Sequence, residues 1–275
     1  MTRSERRSRR MLQMAGAGAA ALMALSACSS ADDSSSAKDS ASGSSSASPK
    51  LSGTVTVFAA ASLQESFTEL GAAFEKQHPG TKVTFNFGGS DTLAASITGG
   101  APADVFAAAS PKTMAIVTDK GDAAGTPVTF VRNQLEIATL PGNPDKVSSL
   151  KDLTKSGLKV VLCDKTVPCG AAAQKALEAG KLKLTPVSYE QDVKSALTKV
   201  ELKEADAAIV YKTDVKAAGG KVEGVDFPES AEAVNDYPIT LLKNAPNAEA
   251  AGAFIALVRS TEGRRVLGEA GFLKP

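Results

Sequence analysis

The chain predicts an α/β protein of two lobes, joined by two extended crossing segments with a ligand cleft between them. Three observations predict it. Short apolar strands alternate with helical patterns in both halves of the folded region. The run Val128-Thr129-Phe130-Val131-Arg132-Asn133-Gln134-Leu135-Glu136-Ile137-Ala138 is extended throughout and could pass from one lobe into another. A second extended stretch, Ala233 to Thr240, contains Asp236-Tyr237-Pro238-Ile239-Thr240 as the return crossing. Residues 51–132 and 236–275 then form the first lobe, and residues 133–235 the second. The length of 275 residues fits one or two domains, and 43% hydrophobic with 22% charged residues is an ordinary globular balance. A formal net charge of +1 gives no support for nucleic acid as a partner.

The first 27 residues read as a processing signal, outside the fold. Arg6, Arg7, Arg9 and Arg10 form a basic region ahead of an Ala/Leu/Met-rich run from Met11 to Leu25, too short to span a membrane. Leu25-Ser26-Ala27-Cys28 resembles a bacterial lipobox, which predicts lipidation of Cys28; a free cysteine in an apolar segment is the alternative. Ser8-Arg9-Arg10-Met11-Leu12 fits either a twin-arginine export signal or a merely basic segment. Ser29 to Lys50 is Ser-rich and too poor in apolar residues to offset its chain entropy, so residues 28–50 read as a flexible tether. Anchor and tether place the folded part just outside a membrane.

The folded part opens on Val55-Thr56-Val57-Phe58, a strand, which Ala59-Ala60-Ala61 carries into a turn. Ser62 stands before a helical stripe of Leu63, Phe67, Leu70 and Phe74 and reads as its N-cap. Such a turn leaves a hydroxyl and unpaired N–H groups near one point, a natural anion site, although Ser62 could be only a cap. His78, the single histidine, lies in the turn Lys76-Gln77-His78-Pro79-Gly80, where a solvent-exposed side chain is expected. The arrangement repeats: Lys82 to Phe87 alternates as a strand, and Gly88-Gly89-Ser90-Asp91-Thr92-Leu93 turns into a helix that Gly99-Gly100-Ala101-Pro102 stops. Ala103 to Ala107 is a third strand. This alternation argues a parallel sheet with right-handed crossovers, and ligands of such sheets collect at the carboxyl ends of the strands, where Ser62 and Ser90 fall.

In the second lobe Leu158-Lys159-Val160-Val161-Leu162 is a strand, and Pro168-Cys169-Gly170 opens a helix, with proline suited to the first turn. Cys163 and Cys169 remain once Cys28 is set aside; in an oxidising compartment this close pair reads as a disulfide. Two thiolates without a usable histidine make a poor zinc site. Thr185 to Tyr189 is extended, Gln191-Asp192 opens a helix carrying Val193, Leu197 and Val200, and Ala207-Ala208-Ile209-Val210-Tyr211 is another strand. Val222 to Phe227 is extended again. Ala248 to Gly271 reads as helices that pack back on the first lobe.

Val57-Phe58-Ala59-Ala60-Ala61-Ser62-Leu63, Gly99-Gly100-Ala101-Pro102-Ala103-Asp104-Val105-Phe106 and Ile209-Val210-Tyr211, in this order behind a lipobox, resemble the molybdate-binding proteins of bacterial ABC importers. The resemblance runs from about Gly53 to the end. It implies the type II periplasmic-binding-protein fold and capture of molybdate, with tungstate, for a membrane permease; another tetrahedral oxyanion such as sulfate or phosphate is the alternative. It implies oxyanion contacts from Ser62 (hydroxyl and N–H), Ser90, the N–H groups of Cys169 and Val193, and the Tyr211 hydroxyl. The metal centre would be held through its oxygens alone, with no cofactor, by a monomer that closes on the ligand by hinge motion at the two crossings.

That chemistry needs no cationic side chain. Donors to a charged group contribute roughly 1.5–3 kcal/mol each, so several of them, with helix dipoles, can hold a dianion. Hydrogen phosphate keeps a proton that needs an acceptor. Here the sequence departs from the family: Asp91 follows Ser90 where a serine is common, and is expected to turn outward at the helix start. Cys169 also replaces a small residue. No general base, nucleophile pair or metal cluster is visible. Ser148-Ser149-Leu150-Lys151 and Ser156-Gly157-Leu158-Lys159 match the S-x-x-K pattern of serine acyl enzymes but lack its companion motifs, so the chain does not read as an enzyme.

Overall fold

A computed structural model describes residues 50–275. The signal segment, Cys28 and all of the tether but Lys50 lie outside the described residues.

The first lobe begins with β1 (Gly53–Ala60), α1 (Gln64–Gln77), β2 (Thr81–Gly88), α2 (Ser90–Thr98), β3 (Val105–Ala107), α3 (Pro111–Asp119) and β4 (Val128–Asn133). After Gln134 the chain enters the second lobe: β5 (Leu135–Thr139), β6 (Val160–Cys163), α4 (Pro168–Ala179), β7 (Ser188–Glu190), α5 (Val193–Glu201), β8 (Ala207–Tyr211), α6 (Lys212–Ala218) and β9 (Glu223–Val225). It returns through β10 (Asn235–Leu241) and ends with α7 (Ala248–Arg259) and α8 (Thr261–Ala270). Two five-stranded sheets result, in the orders β2-β1-β3-β10-β4 and β7-β6-β8-β5-β9.

Both sheets are mixed: β1, β2 and β3 are parallel as their alternation with helices predicts, but the first sheet as a whole is not. β1 runs parallel to β2 and β3, and β6 to β7 and β8. β10 is antiparallel to β3 and β4, and β5 to β8 and β9. The reversed strand in each sheet is the one that has just arrived from the other lobe. The β–α units must end their strands at the cleft to start helices there, whereas an arriving strand starts at the cleft and runs away from it.

Strand β1 shows the two-residue period directly. Val55, Val57 and Ala59 pack on the face covered by α1, α7 and α8, while Phe58 joins Phe106, Leu93, Ile97, Met114 and Val117 on the face covered by α2 and α3. Leu63, just ahead of α1, and Phe67, Leu70 and Phe74 within it form a fully buried stripe. Phe254 of α7 stands edge-on to Phe67 and Phe74, with ring centroids 5.9 and 5.6 Å away. Each such ring contributes roughly 1.5–3 kcal/mol by burial, so the C-terminal helices are held on the first lobe as expected. The second lobe has its own core around Leu135, Ile137, Leu162, Leu177, Leu197 and Ile209, which also takes in Ala61 from the first.

Helices α3 and α6 were not expected. The signal for α3 was present in Ser110-Pro111: the Ser110 hydroxyl accepts the Thr113 N–H at 3.2 Å, with proline at the first helical position. His78 is half-buried rather than solvent-exposed, its ring 4.6 Å from that of Phe74, because its carbonyl accepts the Thr81 N–H at 2.8 Å and holds the turn against α1.

Candidate functional site

The first turn of α2 follows β2 through Gly89, whose extended backbone makes it the N-cap; Ser90 is the first helical residue, not the cap. Ser62 is not a cap either. It sits inside a short 3-10 turn, Ala61–Leu63, which absorbs the passage from strand to helix before α1 starts at Gln64. With no helix N–H to accept, the Ser62 hydroxyl meets the Tyr237 hydroxyl at 2.9 Å. In the second lobe Val167 caps α4, so Pro168 and Cys169 form its first turn. Asp192 caps α5 by accepting the Ser195 N–H at 2.9 Å, which leaves Val193 first in that helix. Tyr211 ends β8 and is buried.

These ends converge on one cavity, lined by Ala60, Ala61, Ser62, Gly88, Gly89, Ser90, Ala109, Val167, Pro168, Cys169, Asp192, Val193 and Tyr211. All five residues expected to contact a ligand (Ser62, Ser90, Cys169, Val193 and Tyr211) are therefore brought together from both lobes. The space open to the centre of a water-sized sphere is about 20 Å³.

Among the described residues no lysine or arginine lines the cavity, and its one carboxylate, Asp192, is occupied by Ser195 through both N–H and hydroxyl. The first N–H groups of an α-helix have no intrahelical acceptor, and α2, α4 and α5 all begin at this wall. Burial pushes the Tyr211 phenol well above its ordinary range, so it stays protonated and able to donate. Such a set of donors can hold a small, fully charged anion. Among the described residues no group of His, Cys, Asp and Glu side chains is placed to hold a metal ion directly.

Cys163 and Cys169 are disulfide-bonded, tying the end of β6 to the first turn of α4. Asp91 corrects another expectation: it lies outside the cavity lining but does not turn fully outward. It is half-buried beside Gly89, with Oδ1 buried and lacking a hydrogen-bond partner, because the second lobe closes over Gly89 near the Gln191 carbonyl. The Ser148 hydroxyl donates to Asp152 Oδ2 at 2.9 Å in an exposed turn away from the cavity.

The lobes are also joined by charge. Lys194 Nζ lies 2.8 Å from Glu65 Oε1 of the first lobe and 3.4 Å from Asp214 Oδ1 of its own. Burial alone would lower the Lys194 ammonium, but Asp214 and Glu65 outweigh it and hold it above its ordinary value. Asp214 is fully buried, which pushes its carboxyl up to about 6, although Lys194 and the Tyr211 N–H partly offset this. A raised carboxyl favours the folded state below its unfolded value and loses that contribution as pH rises through about 6. Thermal melts should therefore show the melting temperature of Asp214→Asn, relative to wild type, rising from pH 5 to pH 7.5. A flat difference would contradict this.

Sequence reasoning missed Asn133, Asn235 and Tyr237, which stand behind the cavity. Asn235 Nδ2 donates to the Tyr211 hydroxyl at 2.7 Å. The available signal was an asparagine at the end of each crossing, Asn133 closing β4 and Asn235 opening β10.

A family model described as "Bacterial extracellular solute-binding protein" matches residues 55–273. The molybdate-binding protein ModA of Mycobacterium tuberculosis is 44% identical over 222 residues, covering 81% of this chain and 85% of that protein. The Escherichia coli molybdate-binding protein ModA is 32% identical, over 80% of this chain and 89% of its own length. Among solved structures, the periplasmic molybdate-binding protein of Azotobacter vinelandii superposes with a TM-score of 0.71 at 21% identity, over 80% of this chain and 99% of that one. The sulfate-binding protein SubI of Mycobacterium tuberculosis has the same fold, with a TM-score of 0.68 at 18% identity over 80% of this chain and 86% of that one. With that family model over most of the chain and 44% identity to a molybdate-binding protein, the chain belongs to the bacterial extracellular solute-binding proteins, in the group of the molybdate-binding proteins.

Proposed function

We propose that this protein captures molybdate, and tungstate with it, outside the cytoplasm and delivers it to the membrane permease of an ABC importer. Cys28 would carry the lipid anchor and residues 29–50 the tether, so that a monomeric binding domain works at the outer face of the membrane. Ser62, Ser90 and Tyr211 would donate through hydroxyls, and Ser62, Cys169 and Val193 through backbone N–H groups, with no cofactor. The observation that carries this reading is the small cavity lined by five donor-bearing residues of both lobes and by no cationic side chain. A site without fixed positive charge binds by directed hydrogen bonds, which favours one compact anion over the many anionic solutes outside a cell.

Melting the protein with molybdate, tungstate, sulfate or phosphate tests the reading. At a hundred times Kd a ligand adds about 2.7 kcal/mol, which at this size is roughly 5–10 °C. Molybdate and tungstate are expected to give that shift. A shift with sulfate or phosphate alone would reassign the anion, and no shift with any of the four would refute the assignment.

A further inference from the structure

Around the cavity the lobes meet in two ways. One is close packing: Ala61 of the first lobe enters the core of the second, and the Gln191 carbonyl lies against Gly89. The other is charge. Lys194 of α5 reaches Glu65 of α1 at 2.8 Å, and among the described residues this is the only ion pair that joins the two lobes; every other pair lies within one of them. Both partners flank the cavity without lining it. Glu65 stands in the first turn of α1, three residues past Ser62, and Lys194 directly follows Val193 at the start of α5. Lys194 also lines a groove of about 410 Å³ between Gln64 and Phe87 of the first lobe and Glu190 and Lys199 of the second. Ala61 and Asp192 line both this groove and the cavity, so the two adjoin.

The ammonium is shared unequally between two acids. Asp214, in its own lobe, is fully buried; its Oδ2 accepts the Tyr211 N–H at 3.1 Å, and its Oδ1 makes no hydrogen bond but faces Lys194 Nζ at 3.4 Å. Losing that cation would leave a buried carboxylate uncompensated, so Lys194 is tied to Asp214 whether the lobes are together or apart. Glu65 differs. Its side chain is half-exposed, and its carboxylate returns to water at little cost when the lobes part. The second lobe thus holds the ammonium ready for the first, and such pre-organisation lowers the entropy cost of forming the pair. Neither crossing runs between α1 and α5, so opening at the crossings separates these charges.

We infer that Lys194 and Glu65 form a latch across the cleft, positioning residues that hold the closed lobes together and slow the escape of the anion without touching it. The inference rests on the anion-binding reading above and adds what sets the residence time of the bound anion. Because the pair forms only as the lobes close, it acts on release and leaves association nearly unchanged. Its half-exposed partner makes it sensitive to screening, so release quickens as ionic strength rises.

Release of radiolabelled molybdate into an excess of unlabelled molybdate, from wild type, Glu65→Gln and Glu65→Lys, tests this at about 20 mM and about 500 mM sodium chloride. Lys194 is left in place because replacing it would also strand Asp214. At low salt Glu65→Gln is expected to release the anion about 3–5-fold faster than wild type, and Glu65→Lys, which sets like charges together, about 10-fold faster or more. At high salt wild type should approach Glu65→Gln, whose own rate changes little. A wild-type release rate in both variants, or a salt dependence that Glu65→Gln leaves intact, would overturn the inference. Failure of wild type to bind molybdate would overturn the functional reading and the inference with it. Glu65 is half-exposed, so both variants are expected to fold, and the second keeps the test open should one fail.

Discussion

Gly170→Ala is expected to destroy the second-lobe half of the proposed anion site. A Cβ on Gly170 would lie 1.8 Å from the Asp164 carbonyl oxygen and 2.6 Å from that of Cys163. Neither atom can yield as a flexible side chain would. Asp164 is pinned by its N–H to the Glu190 carbonyl at 2.8 Å, and Cys163 by β6 and the disulfide. The first turn of α4 must therefore move, and with it Val167, Pro168 and Cys169 in the cavity wall. Overpacking against rigid backbone costs about 3 kcal/mol or more, a fall of roughly 6–12 °C at this size. Molybdate affinity should drop more than about 100-fold, because losing two charge-directed donors is enough for that. Circular-dichroism melts and calorimetry read both effects; a variant with wild-type melting and affinity would show that α4 need not approach Asp164 so closely.

Ser90→Ala is expected to act twice. The hydroxyl is 1% exposed, lines the cavity and accepts the Ala109 N–H at 3.0 Å. Under the proposed function, removing it takes one donor from the anion, a loss of roughly 10–100-fold in affinity. It also strands a buried N–H, which costs a further 1–3 kcal/mol or so in the ligand-free protein. The variant should thus lose melting temperature without ligand and lose a larger part of the molybdate-induced shift. Ser90→Cys, which keeps a weak acceptor at the same position, should recover part of the stability but little of the affinity. An unchanged affinity in Ser90→Ala would remove Ser90 from the site.

Much of this was legible in the chain because the relevant signals are local. The stripe Leu63, Phe67, Leu70 and Phe74 announces α1 by its period, and Pro168 marks the first turn of α4 by chemistry that depends only on its own ring. The extended runs through Asn133 and Asn235 lack helical periodicity and were read as crossings. Where a residue's role depends on what arrives from elsewhere, local reading failed. Ser62 has the composition of a cap, yet Tyr237, 175 residues away, takes its hydroxyl. Asp91 has the composition of an exposed helix-start acid, yet the second lobe closes beside it. Strand direction in β5 and β10 was hidden for the same reason, since an isolated strand carries no sign of which neighbours it will run against.

By itself, then, the sequence determined the alternation of strands and helices, the two crossings and the residues that begin helices at the cleft. These follow from side-chain period, backbone donors and turn chemistry within a few residues. Only the tertiary structure decided which hydroxyl oxygens are already occupied from behind. The N–H groups that meet those oxygens, from Asn133, Asn235 and Ala109, are brought to them by folding from other elements.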